Sequence, residues 1–382
     1  LKKIAENGTA EQADKAMRTI IATEQLRGRR AGLASMSSLT MASITGQPQK
    51  NRTVYDAQNG NILPGVVVRK EGDPAMEDVA VNEAYDGSGF TYDLFAEIYG
   101  RNSIDGRGMN LDSTVHYQKS YDNAFWDGRQ MVYGDGDEDM AVGQRLFNRF
   151  TIAMDVIGHE LTHGVTQNEA DLAYWDQSGA LNESISDVFG VLVKQYALNH
   201  TADQSNWLIG EGLLSANVKG LGLRSMKTPG SAYDDPVLGK DPQPGHMKDF
   251  IVTTQDNGGV HLNSGIPNHA FYVIAIDLGG YAWNKAGLIW YKTLTDKLTD
   301  RSNFQDAANY TFQSAGELYG KGSLEQQAVR NGWMQVGINM DVVPAPTNPT
   351  PFPKPNNPAT GGGCLSQIMR PLSFLGNLQK KK

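Results

Sequence analysis

Two histidines and a glutamate within one predicted helix could hold and use a metal ion. His159 and His163 lie four residues apart, so on a helix both imidazoles lie on the same face and can reach one Zn²⁺. Glu160 lies beside them and is better placed to take a proton from a zinc-bound water than to bind the metal. Glu183 follows His163 by twenty residues and supplies the third ligand, which leaves one coordination position for water or substrate. The combination predicts a zinc hydrolase with one catalytic Zn²⁺.

The residues around Glu183 could orient the ligand histidines. Asp187 lies one helical turn after Glu183 and can accept the second N–H of a ligand histidine, which fixes its tautomer and raises its basicity. Asn182, immediately before Glu183, is assigned the same supporting role. Isolated carboxylates at this spacing are more often a solvated helix face, and two histidines alone are often ordinary surface residues. The two motifs together favour the metal site.

The composition limits the class of protein. The chain has 382 residues, 40% of them hydrophobic and 20% charged, which suits two globular domains. No run of about 18 apolar residues occurs, so we expect no membrane span. The net charge of -8 argues against nucleic acid as a partner. The single cysteine, Cys364, excludes an internal disulfide and a cysteine-based zinc site.

The chain divides into four parts by composition. Residues 1–45 form a helical, propeptide-like segment with its linker, and residues 46–165 form a β-rich domain that ends in the zinc-binding helix. Residues 166–340 form a helical domain. Residues 341–382 form a Pro-rich tail that is expected to be disordered. Because Leu1 is not Met, we expect the chain to start inside a longer precursor. In the first part, Thr9 and Gln12 could form a capping box. An apolar stripe is predicted at Ala13, Ala16, Met17, Ile20 and Ile21.

Alternation and turn signals predict the secondary structure of the two central parts. Strands are expected at 53–56, 66–69 and 114–117, separated by turns at 59–60, 86–87 and 105–106. A helix near 79–99 interrupts them. Helices follow at 151–168, 179–198, 265–278, 284–299, 302–318 and 323–336.

Six motifs in order give the chain a resemblance to a known family. They lie at 121–128, 131–137, 158–163, 179–183, 223–226 and 255–265. Through them the chain resembles the thermolysin-like zinc endopeptidases over residues 51–340, and its N-terminal segment is most similar to the protealysin-type subgroup with short propeptides. The resemblance implies an α+β fold of two domains. A β-rich N-terminal domain and a mainly α-helical C-terminal domain would enclose the active site in the cleft between them.

The resemblance also assigns roles around the metal. Tyr174 and His261 match the groups that stabilise the oxyanion of the tetrahedral intermediate. Asp256 resembles the carboxylate that orients His261 and favours its protonated form. Arg224 matches the arginine that grips a substrate carbonyl. Taken singly, Tyr174 could be a core aromatic, Arg224 a surface ion pair and Asp256 part of a simple turn.

The same resemblance assigns the substrate contacts. Asn123 and the backbone of Ala124 resemble the edge that holds an extended peptide by β-type pairing. Val156, Ile209 and Leu223 align with the pocket for the residue after the cut. Their apolar side chains predict cleavage on the N-terminal side of bulky hydrophobic residues. Protein or peptide substrates are therefore expected, and the enzyme is expected to be a monomer.

The family's double-calcium site departs from its usual pattern. Asp155 and Glu211 are retained, whereas Lys194, Asn206 and Leu208 stand where the family has carboxylates. A lysine ammonium cannot share a site with two Ca²⁺ ions, and Lys194 could instead pair with Asp155. We expect the double-calcium site to be reduced or lost.

Residues 1–45 are expected to act as a propeptide that inhibits or chaperones the enzyme, with removal by a cut between Arg30 and Asn51. A merely disordered leader is the alternative. Two other functions compete with a zymogen endopeptidase: a zinc aminopeptidase, and a zinc-stabilised binding module without activity. Glu160, Tyr174 and His261 together weigh against the last. The family implies an extracellular enzyme, with a cytoplasmic one as the alternative because no signal peptide is visible.

Overall fold

The structure, a computed structural model, describes residues 1–34 and 49–340, and for residues 24–34 it describes the backbone alone. Most of the predicted linker, the Pro-rich tail and Cys364 lie outside the described residues. The side chain of Arg30, where the range of the expected cut begins, also lies outside the described residues.

Two helices form the N-terminal segment, α1 (Lys2–Asn7) and α2 (Ala10–Ala34). The predicted capping box is confirmed: the Thr9 amide donates to Gln12 Oε1 at 2.9 Å, and the Gln12 amide donates to Thr9 Oγ1 at 3.3 Å. The predicted apolar stripe is wrong, because Met17 and Ile21 are 48% and 53% exposed. The face that α2 buries is mostly polar and consists of Gln12, Lys15, Ala16, Thr19 and Thr23. Its polar residues contact carboxylates, hydroxyls and backbone groups, and only Ala16 of this face joins the hydrophobic core.

A five-stranded mixed sheet follows, with strand order β2-β1-β3-β5-β4. Its strands are Arg52–Asp56, Val66–Lys70, Leu111–Val115, Ala124–Trp126 and Met131–Tyr133 for β1 to β5. Strand β4 pairs antiparallel with β5 and ends the sheet. The segment before β4 and the edge of β4 therefore face the helices that carry the metal ligands.

One helix crosses this sheet. Helix α3 (Val79–Asp93) continues into a π-helical turn at Leu94–Ile98, which confirms the helix predicted near 79–99. The predicted turn at 86–87 is wrong, because both residues lie within α3. Gly87 serves close packing instead: a Cβ there would lie 2.4 Å from Ile157 Cδ1.

The remainder is mainly helical. The long helices are α4 (Met154–Asn168) and α5 (Asp176–Leu198), and five more follow as α6 to α10: Asp256–Asn263, Gly265–Leu278, Ala286–Asp296, Phe304–Tyr319 and Leu324–Gln335. Four two-residue strands lie between α5 and α6: Leu208–Ile209, Arg224–Ser225, Asp234–Asp235 and Gly239–Lys240 for β6 to β9. The predicted helices are confirmed, and their ends differ by up to three residues. Among the described residues, no helix is both long and apolar enough to cross a membrane.

His116 ties the end of β3 to two other elements. The strand stops at Val115 rather than at the predicted residue 117, because His116 has a left-handed backbone with φ of 55°. Its Nδ1 lies 2.8 Å from Asp135 Oδ2, and its Nε2 lies 2.9 Å from Asp78 Oδ2. Asp78 also caps α3 by accepting from the amides of Ala80 and Val81. The hydrogen bond with Asp135 is the main reason that the pKa of His116 is raised to about 9, against the opposing effect of burial.

This raised pKa makes stability depend on pH in a defined direction. Protonated His116 stabilises the folded chain fully below its unfolded pKa of about 6.5, and the contribution is lost as pH rises through about 9. We expect the parent chain to lose about 3 kcal/mol between pH 6 and pH 10 relative to His116→Asn, a residue that tolerates the left-handed backbone. Urea unfolding of both chains, each carrying Glu160→Ala to prevent self-digestion, measures it. A stability difference that stays constant with pH contradicts the prediction.

Candidate active site

Helices α4 and α5 approach each other unusually closely beside the predicted ligands. A Cβ at Gly190 of α5 would lie 2.3 Å from the carbonyl oxygen of Asp155 on α4, and a Cβ at Gly158 would lie 3.0 Å from the Cα of Gly190. Only glycine at these positions permits the contact. The short separation brings the face of α4 that carries His159 and His163 onto the face of α5 that carries Glu183.

The three predicted ligands converge. The Nε2 atoms of His159 and His163 lie 3.1 Å apart. Glu183 presents Oε2 at 3.4 Å from the first and Oε1 at 3.5 Å from the second. All three side chains are buried, and they form the one cluster of His, Cys, Asp and Glu in the described part of the chain with the proximity that a metal ion requires. Two histidines and a glutamate with room for a further ligand are the set found in catalytic zinc sites.

The partners of the Nδ1 atoms show that this cluster fits a cation. His159 Nδ1 lies 2.8 Å from Asp187 Oδ1, and His163 Nδ1 lies 2.7 Å from Asn182 Oδ1. The Asn182 amide is oriented by its Nδ2, which donates to the Leu172 carbonyl at 3.1 Å. Because both Nδ1 atoms then carry the proton, the two Nε2 atoms face each other with lone pairs. That arrangement is repulsive unless a positive charge, a proton or a metal ion, lies between them, so Zn²⁺ fits the residues present.

Electrostatics keep the carboxylates of the site ionised. Burial opposes the charge on Glu183, but the imidazoles of His261, His163 and His159 outweigh it and hold its pKa well below the ordinary value. Burial likewise opposes the charge on Asp187, whose pKa Arg224 and His159 nevertheless lower. Burial disfavours protonation of His159, yet Asp187 and Glu183 raise its pKa to about 10. The site favours a positive charge among these groups.

Arg224 is anchored by Asp187. Its Nη2 and Nε donate to the two oxygens of Asp187 at 2.6 and 2.8 Å, in a bidentate pair. Asn268 Nδ2 adds a third donor at 2.8 Å. Arg224 also lines the cleft. Sequence reasoning missed Asn268, which lies beyond the last motif, and Ser186, whose hydroxyl lies 3.1 Å from His163 Nδ1. The spacing of Ser186, one turn after Asn182, could have revealed it.

Tyr174 and His261 lie next to each other, and both contact Glu183. The Tyr174 hydroxyl donates to Glu183 Oε1 and lies 3.1 Å from His261 Nε2. Asp256 Oδ1 lies 2.6 Å from His261 Nδ1, and its Oδ2 accepts the His261 amide at 2.8 Å. For the Asp256 carboxylate to reach His261, the chain makes a tight turn at the start of α6, where residues 256–259 all have positive φ. Asp, Asn and Gly are the residues that tolerate this conformation, so the predicted turn is present and it brings the Asp256 carboxylate to His261.

Glu160 lies between the metal ligands and the sheet edge. Its Oε2 accepts the backbone amide of Trp126, on β4, at 3.1 Å. Trp126 belongs to a recognised motif, but its amide was not assigned a role from sequence. A backbone amide gives no side-chain signal, and only the tertiary contact between α4 and β4 reveals it.

A cleft of about 510 Å³ contains these groups, a size that suits part of a peptide. Five of the six predicted substrate contacts line it, namely Asn123, Ala124, Val156, Leu223 and Arg224. Ile209 is completely buried and does not line the cleft. Thr23 of α2 also lines it, and its hydroxyl accepts from Asn123 Nδ2 at 3.2 Å. The N-terminal segment therefore touches the edge predicted to hold substrate.

Lys194 lies among the residues expected at the double-calcium site. Its Nζ is 3.2 Å from Asp155 Oδ2 and 2.8 Å from Glu211 Oε2. The buried Asp155 also accepts the Gly210 amide at 2.9 Å. Asn206 accepts the Leu208 amide at 3.1 Å, so it caps its own turn.

Comparisons with known proteins identify the family of the chain. Residues 24–167 match the family described as thermolysin metallopeptidase, catalytic domain, and residues 170–338 match thermolysin metallopeptidase, alpha-helical domain. An extracellular metalloprotease of Pectobacterium carotovorum subsp. carotovorum is 50% identical over 341 residues, 89% of this chain and 94% of that protein. Protease PrtS of Photorhabdus sp. is 54% identical over 293 residues, 76% of this chain and 77% of that protein.

A solved structure is similar over nearly the whole of its length. The precursor of protealysin, a metalloproteinase from Serratia proteamaculans, superposes with a TM-score of 0.78 and 51% identity over 88% of this chain and 97% of that chain. The fold and the ligand set define a zinc-dependent peptidase of the α+β class. The chain belongs to the thermolysin family of metallopeptidases and is a zinc metalloendopeptidase. The predicted family and fold class are confirmed.

Proposed function

We propose that the chain is a zymogen of a zinc endopeptidase in which Glu160 activates the attacking water. The observation that carries this is the position of Glu160, beside the convergent zinc ligands and hydrogen-bonded to the amide of Trp126. Zn²⁺, when bound by His159, His163 and Glu183, polarises the scissile carbonyl and lowers the pKa of water. Glu160 takes the proton of that water and later passes it to the leaving amine.

The surrounding side chains stabilise the charge that develops on the substrate. His261, oriented by Asp256, and the hydroxyl of Tyr174 are adjacent and donate to the oxyanion. Both contact Glu183 before substrate binds, so they are already positioned at the metal site. The peptide lies along the Asn123–Ala124 edge, and Arg224, held by Asp187, binds a substrate carbonyl.

Residues 1–45 act as the prosegment of this zymogen. Helix α2 supports this role, because Thr23 holds the side chain of Asn123 at the edge where substrate would pair. The precursor named in the similar protealysin structure supports the same organisation. Relatives named extracellular support export, and we propose that the mature enzyme acts outside the cell on protein or peptide substrates.

Glu160→Ala tests the proposed general base. We expect casein hydrolysis to fall by about a hundred- to ten-thousand-fold, because the chain loses the proton acceptor while the ligands remain. N-terminal sequencing should show that this variant keeps the segment before Asn51, which the active chain sheds. A zinc chelator should abolish the activity of the parent, and added Zn²⁺ should restore it.

The matched control is Glu77→Ala, which removes an exposed loop glutamate that belongs neither to the lining of the cleft nor to the metal cluster. Its activity should equal that of the parent. Full casein hydrolysis by Glu160→Ala contradicts the proposed role of Glu160. Activity that survives complete removal of zinc contradicts the requirement for the metal.

The apolar side of the cleft sets the proposed substrate preference. Val156, Leu223 and the neighbouring Phe150 line it. Burial of a large apolar side chain against them favours cleavage before residues such as Leu or Phe, and each methylene in such a pocket contributes about 1–3 kcal/mol to discrimination. Cleavage-site mapping in a peptide library should show bulky hydrophobic residues immediately after the cut. A preference for charged residues there overturns the proposal.

The ion pairs of Lys194 support the proposal that the double-calcium site is reduced or lost. An ammonium between Asp155 and Glu211 occupies the position of a divalent ion and neutralises the carboxylates that would bind it. Calorimetric titration of the Glu160→Ala chain with Ca²⁺ should show no pair of tight sites. Two tightly bound equivalents of Ca²⁺ contradict the proposal. Lys194→Met should lower the free energy of unfolding, because it removes the counter-ion of the buried Asp155 carboxylate.

A further inference from the structure

A buried pocket beside the substrate edge holds the ammonium of Lys15. The pocket is formed by Asp122, the carbonyl of Gly136 and Asp137, and we call it the ammonium pocket. Lys15 Nζ donates to the Gly136 carbonyl at 2.8 Å, forms a hydrogen-bonded ion pair with Asp137 Oδ1, and lies 2.9 Å from Asp122 Oδ1. The three charged side chains are 2–4% exposed. The lysine enters from α2, whereas the acceptors belong to the segments on either side of β4 and β5.

The pocket is preformed by the catalytic part of the chain. The second oxygen of Asp137 accepts the amides of Leu146 and Phe147 at 2.8 and 2.9 Å, which fixes the carboxylate independently of Lys15. Burial and the nearby charge of Asp137 raise the pKa of Asp122 to about 7. Two buried carboxylates this close repel each other, so the pocket favours a cation that can donate several hydrogen bonds. A primary ammonium, with three N–H donors, has this chemistry.

The position of the pocket determines what the lysine controls. Asp122 directly precedes Asn123, whose side chain lies at the cleft. Thr19 and Thr23 follow Lys15 at intervals of one turn on the same face of α2. The Asp122 amide donates to the Thr19 hydroxyl at 3.4 Å, and Asn123 Nδ2 donates to the Thr23 hydroxyl at 3.2 Å. The ammonium is the one charged anchor in this row, and the two hydroxyl contacts are weaker than an ion pair.

We propose that the ammonium pocket is a lysine-binding site whose ligand is Lys15, and that this contact sets the position of α2 over the substrate edge. The inference rests on the proposal that residues 1–45 are a removable prosegment. Loss of the ammonium leaves two buried carboxylates facing an apolar or empty space, a cost that the remaining polar contacts of α2 do not offset. Helix α2 then detaches more often from the catalytic part.

Hydrogen exchange in the full chain tests the proposal. All variants carry Glu160→Ala, so the segment stays attached. Lys15→Met keeps most of the length of the side chain and removes its charge, and we expect the amides of residues 10–23 to exchange at least ten-fold faster than in the parent. Asp122→Asn, which keeps the shape of the pocket, should accelerate the same amides. The double variant Lys15→Met/Asp122→Asn should exchange no faster than Lys15→Met alone, because both substitutions remove the same contact.

Lys3→Met is the matched control, since Lys3 is exposed and pairs with Glu6 within its own helix. Its exchange should equal that of the parent, and the amides of α5 should stay protected in every variant. Equal exchange of residues 10–23 in Lys15→Met and Lys3→Met overturns the proposal. If Lys15→Met also loses protection in α5, the whole chain has been destabilised and Asp122→Asn becomes the test. Unchanged exchange of residues 10–23 in Asp122→Asn then overturns the proposal. Exchange requires no catalysis, so this outcome is separate from the casein result.

Discussion

The close contact between α4 and α5 is the constraint on which the site depends. The two histidines and the glutamate lie on different helices, and their ligand atoms converge only because Gly158 and Gly190 remove the side chains between the backbones. A helix pair at ordinary separation of 8–10 Å would hold the same residues too far apart to share one ion. The predicted metal ligands, their hydrogen-bond partners and the proposed general base are all positioned relative to this contact.

Asp187 connects the metal site to the substrate side of the cleft. One of its oxygens accepts from His159 and Arg224, and the other accepts from Arg224 and Asn268. A fully buried carboxylate with one partner removed would cost about 3–5 kcal/mol, so these contacts hold each other in place. The same residue therefore fixes the tautomer of a ligand histidine and the orientation of the arginine proposed to bind substrate.

Sequence reasoning succeeds where chemistry follows local spacing. The ligand pair at one-turn spacing and Glu183 with Asp187 are short-range patterns that a helix makes explicit, whereas the contact of Asp256 with His261 is expected only from the family resemblance. It fails where the contact is tertiary. The amide of Trp126 at Glu160, the amide of Asn268 at Asp187 and the glycine of α3 against Ile157 depend on how elements pack, and no local pattern encodes them.

The same limit explains the wrong assignment on α2, and the reason bears on its function. An apolar periodicity predicts which face a helix buries only when the partner surface is apolar. Here α2 buries Lys15, Thr19 and Thr23, and leaves Met17 and Ile21 in solvent. A prosegment must bind firmly and later leave without exposing an apolar face on the mature enzyme. A polar interface meets both needs, because water satisfies its donors and acceptors once the helix has gone, whereas an exposed apolar face would promote aggregation.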